Sequence, residues 1–166
     1  AGARLFGVQP LPWHVVNWLL HGLNVALLYA WVRRWGAGTL GAAVAAGLFG
    51  TSRLLMTAIY APSTLGELLA LGLTLSSLLV ALRAGVASRI ASASLFAAAL
   101  LSKETVLLLP LVLLLPSPGG GPWRARLARG APLLVIGGLF AGYLKLSATH
   151  LGGAAYATGF GFNVLR

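Results

Sequence analysis

His14, Asn17, His21 and Asn24 stand at i, i+3, i+7 and i+10 of WHVVNWLLHGLNVALLYAWVRRW. At about 100° per residue they fall within roughly an 80° arc of one helix face. Most of the other residues in the stretch are apolar. Hydrocarbon offers imidazoles and carboxamides no hydrogen bonds, so such a stripe faces protein or a water-filled cavity. It either lines a binding cavity or fixes helix packing through interhelical bonds, each contributing about 1 kcal/mol or less. His14 lies nearest the outer end of this helix, so the functional reading falls first on it.

The ionisable groups form a second set. Ser102-Lys103-Glu104 interrupts the apolar run LLSKETVLLLPLVLLL. An ionisable pair at such a place marks a functional site, or else two charges that neutralise one another and cap two helices. Arg53 is a second candidate cation, with an interfacial anchor as its structural reading. Glu67 is either an acid in the cavity or a member of the capping box Thr64-x-x-Glu67, in which the threonine hydroxyl accepts an amide and the glutamate reaches back.

Other chemistries find no residues here. Three histidines and two carboxylates are too scattered to make a metal-ligand set. There is no cysteine, hence no disulfide, no thiolate-bound zinc and no thiol nucleophile. There is no Gly-rich phosphate loop after a strand and no Ser-His-Asp order, and Gly119-Gly120-Gly121 reads as a flexible loop rather than a nucleotide site.

The elements that carry these residues belong to a membrane protein. Hydrophobic residues make up 58% of the 166 and charged ones 8%, with a mean hydropathy of +0.90. A soluble domain is nearer about 25% charged, and this chain cannot cover a globular surface with so few. The formal net charge of +10 comes from arginines clustered between apolar runs, the positive-inside pattern, rather than from a nucleic-acid footprint. The expected architecture is an all-α polytopic transmembrane bundle with about six membrane-embedded segments, near 13–35, 39–59, 65–82, 90–101, 105–115 and 132–146. Small residues at Gly41, Ala45 and Ala46 suit close helix packing in the second. Pro10 and Pro12 make the residues before Trp13 an extended lead. Residues 116–131 form a cytoplasmic basic loop, Lys145 snorkels outward, and 147–166 lies on the outer face.

The stretch from Ile90 to Leu115 reads as one helix with Ser-Lys-Glu in its middle, or as two short helices with Ser-Lys-Glu at the turn. The second reading puts Arg33/Arg34, Arg83/Arg89 and Arg124/Arg126/Arg129 on one side of the membrane, as positive-inside topology favours. The opening AGARLFG, without an initiator Met, and the end at Arg166 read as those of an internal piece of a longer protein.

Several of these pieces resemble one family. PWHVVNWLLHGLNVALLYAWVRRWG resembles the His-x-x-Asn-x-x-x-His-x-x-Asn helix of bacterial integral-membrane glycosyltransferases, and LLSKETVLLLPLVLLL resembles their Ser-Lys-Glu segment. These proteins are similar to protein O-mannosyltransferases and belong to the GT-C superfamily. The resemblance runs from Phe6 to about Leu115, with a weaker echo at Gly152-Gly153 and Asn163.

The resemblance implies a GT-C-like bundle in the bacterial inner membrane. It implies transfer of a sugar, with inversion, from a polyprenyl-phosphate donor to a protein or glycan acceptor on the outer face. Lys103 and Arg53 become candidates for the donor phosphate. His14, Asn17, His21, Asn24, Glu67 and Glu104 become cavity walls. The catalytic carboxylate would lie in an outer loop before Ala1, and no cofactor is expected. The chain departs from the family in GTSRLLMTAIYAPSTLGELLA, which lacks the family's His-Pro-x-His-x-Glu; Glu67 approximates a later acidic position. A transporter or channel with a polar-lined path, or a scaffold segment without a site, are the other classes open to this sequence.

Overall fold

The computed structural model describes residues 10–52, 64–116 and 122–150. Among them every regular element is helical: α1 (Pro10–Trp35), α2 (Thr39–Gly50), α3 (Leu65–Ala81), α4 (Val86–Ser102) and α5 (Trp123–His150). Between α4 and α5 lie two 3-10 turns, Glu104–Val106 and Leu109–Leu114.

Contacts fix the direction of each helix. His21 of α1 bonds Gly50, the last residue of α2, so α2 runs back along α1. Asn24 bonds Leu68 of α3. Farther along α1, Leu28, Trp31 and Val32 join the same apolar cluster as Leu78, Ala81 and Leu82, so α3 runs in the direction of α1. Ser77 meets Ser92 while Gly66 lies against the Ser102 carbonyl, which makes α3 and α4 antiparallel. Gly137 of α5 touches both Phe96 and Leu107, and Gly130 touches Leu113 and Leu114. The chain therefore reverses at Lys103, and the 3-10 stretch descends beside α5 while α4 and α5 rise together.

This topology sorts the charges. Arg33, Arg34, Arg83, Arg89, Arg124, Arg126 and Arg129 collect at one end of the bundle. Glu67, Lys103 and Glu104 sit at the other, where α3 begins and α4 ends. Gly36 and Gly85, both at positive φ, make the sharp turns at the arginine end that L side chains would strain.

Two helices, Leu11–Trp35 and Trp123–Ser147, are long and apolar enough to cross a membrane. Neither is a core helix, since little of either is buried. Their exposed apolar residues form stripes: Leu11, Val15, Leu19 and Leu23 on α1, and Val135, Leu139, Tyr143 and Leu146 on α5. Leu40, Val44 and Leu48 do the same on α2. The buried core is Trp31, Leu78, Phe96, Leu100, Leu113 and Leu133 with small residues between them.

Several expected boundaries are corrected. Pro10 and Pro12 are not an extended lead but the first turn of α1. First-turn amides have no intrahelical acceptor, so proline loses nothing there. The second segment is helical only to Gly50, and its continuation through 53–63 lies outside the described residues. Its buried small pair is Ala42 and Ala46, whereas Gly41 is exposed. The basic loop expected over 116–131 gives way to helix from Trp123, and Pro132 lies inside α5. Alanine and arginine in WRARLARGA are strong helix formers, and membrane helices tolerate an interior proline where neighbouring groups re-satisfy the freed carbonyl.

The segment after Lys103 is 3-10 rather than α. Pro110 has no amide to give and its ring crowds the preceding turn. A 3-10 helix rises about 2 Å per residue where an α-helix rises about 1.5 Å, so the two turns cover more length per residue beside α5. The expectation of six spans stands at two full-length apolar helices and four shorter apolar ones.

Candidate functional site

Asn17, His21 and Asn24 are buried, at 0, 4 and 0% exposure, and His14 is half-buried. The stripe closes on neighbouring helices. The Asn24 Nδ2 amide donates to the Leu68 carbonyl at 2.9 Å. His21 Nε2 lies 3.1 Å from the Gly50 carbonyl. A carbonyl only accepts, so Nε2 carries the proton, and in the neutral ring Nδ1 is left with a lone pair. The His21 ring also lies tilted against Phe49, centroids 5.5 Å apart. The polar stripe thus ties α1 to α2 and α3 at one level of the bundle.

Two acceptors at that level, His21 Nδ1 and Asn24 Oδ1, have no hydrogen-bond partner among the described residues. Asn24 Oδ1 faces Gly72, where a Cβ would come within 2.7 Å of it. A bare glycine is what lets α3 approach the carboxamide. His21 Nδ1 keeps the capacity for one donated hydrogen bond.

The next residue before Leu68 is Glu67, which carries the stripe's level out to the ionisable cluster. Lys103 Nζ lies 3.8 Å from Glu67 Oε1, with the two side chains 38 and 46% exposed. The lysine's partner is therefore Glu67 of α3, not its neighbour Glu104. Both charges suit their helix ends, since Glu67 is in the first turn of α3 and Lys103 follows the last of α4. Lys103 itself is extended (φ −163°, ψ 132°), which stops α4 and turns its side chain back over α3. Gly66 allows the approach: its position is 3.3 Å, at a hypothetical Cβ, from the Ser102 carbonyl.

The expected capping box does not form. Thr64 is the N-cap of α3 but makes no side-chain cap bond, and its backbone is not in the extended conformation the box requires. Glu67 is drawn instead to Lys103, which supplies a full positive charge where an amide supplies a partial one. Glu104 is exposed and opens the first 3-10 turn. Arg53, the other expected phosphate-binding cation, lies outside the described residues. The structure brings His21, Asn24, Glu67 and Lys103 to one level, reached through Leu68.

No family model, curated protein or solved structure matches this chain. What the site does must accordingly come from its chemistry. Lys103 is a half-exposed point charge with one carboxylate, Glu67, beside it. In the stripe behind it, His21 and Asn24 each spend one polar atom on a backbone carbonyl of a neighbouring helix. Among the described residues no group of three or more His, Cys, Asp or Glu side chains is placed to hold a metal.

Sequence reasoning missed the polar contact that joins α3 to α4. Ser77 Oγ donates to the Ser92 carbonyl at 2.8 Å, and Ser92 Oγ donates to the Ser77 carbonyl at 3.0 Å. Both serines are buried, at 0 and 1% exposure. A lone serine in an Ala-rich run carries little signal, because it also bonds its own helix, as Ser102 does to Ala98. Only the pairing across two helices distinguishes it. Ser77→Ala and Ser92→Ala should each destabilise the bundle by about 0.5–1.5 kcal/mol. The double variant should cost less than the sum, because the bonds are reciprocal. Thermal unfolding of the detergent-solubilised full-length protein measures this; strictly additive effects would show the two hydroxyls act independently.

Proposed function

We propose that this chain is part of a multi-pass membrane protein that transfers a sugar from a polyprenyl-phosphate donor, and that Lys103 meets the donor phosphate. The observation that carries the reading is the position of Lys103. It stands half-exposed at a chain reversal, at the end of the bundle away from the arginine clusters. A phosphate on a membrane-bound carrier is met by a cation at a polar reversal between apolar segments. Glu67 holds the ammonium in place in the donor's absence, and a dianionic or monoanionic phosphate outcompetes a single carboxylate at 3.8 Å.

The exposed leucine and valine stripes on α1, α2 and α5 support the membrane reading, since water would leave that much apolar surface uncovered. The resemblance to bacterial GT-C enzymes supports the donor class. The shorter helices α3 and α4, at 17 residues each, rise about 26 Å. With the interfacial turns at their ends they complete a multi-pass domain of the inner membrane. His21 Nδ1 and the Asn17–Asn24 wall lie behind the reaction rather than in it.

Two measurements test this. In the cysteine-free chain, single cysteines at positions 37 and 84 should react with a membrane-impermeant maleimide from the cytoplasm, and one at 103 from outside. Reaction of all three from one side would remove the topology. Independently, a photoreactive polyprenyl-phosphate-sugar analogue in proteoliposomes of the full-length protein should label the peptide containing Lys103. Native donor should compete for that labelling. Competed labelling confined to the arginine end would refute the donor site.

A further inference from the structure

The arginine end of the bundle holds a cleft of about 390 Å³ between the α3–α4 turn and the first three turns of α5. Arg83, Arg89 and Arg129 line it. Both carboxylates of the chain, Glu67 and Glu104, are at the opposite end, so no acid neutralises these three cations. Leu82, Pro132 and Leu133 add apolar lining, and Leu133 is buried. Gly85 also lines the cleft, and as the N-cap of α4 it has no side chain to cap the first-turn amides. The positive end of the α4 dipole adds to the arginine field there.

We infer that this cleft binds the phosphate headgroup of an anionic lipid. Three guanidinium groups around one cavity present the planar donor forks that phosphate oxygens match. The volume suits a headgroup, within the usual range for small-molecule sites. Apolar lining beside three arginines fits an amphiphile, whose glycerol and first acyl carbons need that surface, better than a free phosphate, which has nothing to place on it. Basic pockets between membrane helices on the positively charged side are where anionic headgroups lodge. The inference rests on the membrane reading but not on sugar transfer, because the cleft and Lys103 are at opposite ends.

What distinguishes a built site from general attraction is position. Arg33 and Arg34 are exposed at the same end, at the close of α1, and do not line the cleft. They give a matched control with the same kind of charge loss.

The test uses full-length protein purified in a neutral detergent. Phosphatidylglycerol is titrated while native mass spectrometry counts bound lipid. Wild type should retain one lipid. Arg89→Gln and Arg129→Gln should each weaken its binding about tenfold, the loss of one charge-assisted bond. The Arg33→Gln/Arg34→Gln variant should bind as wild type does. Equal weakening in the control and cleft variants would overturn the site, leaving only diffuse attraction. Inorganic phosphate at the same concentration should neither displace the lipid nor raise the melting temperature; if it does both, the site is one for a soluble phosphate and the lipid assignment falls. Failure of sugar transfer with lipid binding intact would leave this inference standing and remove only the proposed reaction.

Discussion

Gly72→Ala is expected to destabilise the bundle by about 1–3 kcal/mol, the usual cost of overfilling a packed interface. Helix propensity alone predicts the reverse, since alanine favours a helix over glycine by about 1 kcal/mol. The packing term wins because of Asn24. A Cβ on residue 72 would stand 2.7 Å from Asn24 Oδ1. The carboxamide is buried and its Nδ2 is held by the Leu68 carbonyl, so it cannot swing aside without giving up that bond. A second substitution reverses the sign. In an Asn24→Ala background the obstacle is gone, and Gly72→Ala should become neutral or stabilise by up to about 1 kcal/mol. Thermal or denaturant unfolding of the four variants in detergent measures the cycle. If Gly72→Ala destabilises equally with and without Asn24, the carboxamide does not set the spacing of α1 and α3.

That same pair illustrates how much of the structure could be read beforehand. The spacing of Asn17, His21 and Asn24 is enough to place them on one face, because 3.6-residue periodicity and the cost of an unbonded amide in apolar surroundings act locally. The partners were not legible. Asn24 bonds a backbone carbonyl, and every residue has one, so nothing in the side-chain types around Leu68 marks it. The same holds for His21 and the Gly50 carbonyl, and for the crossed serines of α3 and α4.

The ionisable groups show the complementary limit. Lys103 and Glu104 are adjacent in sequence, which suggests a pair. The extended backbone at Lys103 sends the two side chains apart and delivers the lysine to Glu67, 36 positions earlier (103 − 67). Local order implied one partner, and the antiparallel packing of α3 on α4 selected another. The 3-10 form of the stretch after it follows from Pro110, which is visible in the sequence. The length of apolar chain to be covered beside α5, which is not, favours the same tighter helix.

The largest functional effect is expected at Lys103. Lys103→Met in the full-length protein should weaken binding of a polyprenyl-phosphate-sugar donor roughly ten- to a hundredfold. Losing one charge-assisted hydrogen bond costs about 1.5–3 kcal/mol. The fold should hardly notice, because an ion pair this exposed and this long contributes about 0–1 kcal/mol. Lys103→Arg should recover part of the affinity, since the charge persists while its shape changes. Glu67 supplies the decisive comparison. If Lys103 serves the phosphate, Glu67 is a competitor for the ammonium, and Glu67→Gln should tighten donor binding or leave it unchanged. If the pair merely joins the end of α4 to the start of α3, the two single variants should lose stability equally, and the double variant Lys103→Met/Glu67→Gln should lose no more than either. Donor affinity would then follow stability and not charge. Titration of donor into the four proteins, with melting temperatures measured alongside, separates the two patterns. Equal weakening of donor binding by Lys103→Met and Glu67→Gln would end the phosphate assignment, because a competitor and a ligand cannot be lost with the same sign.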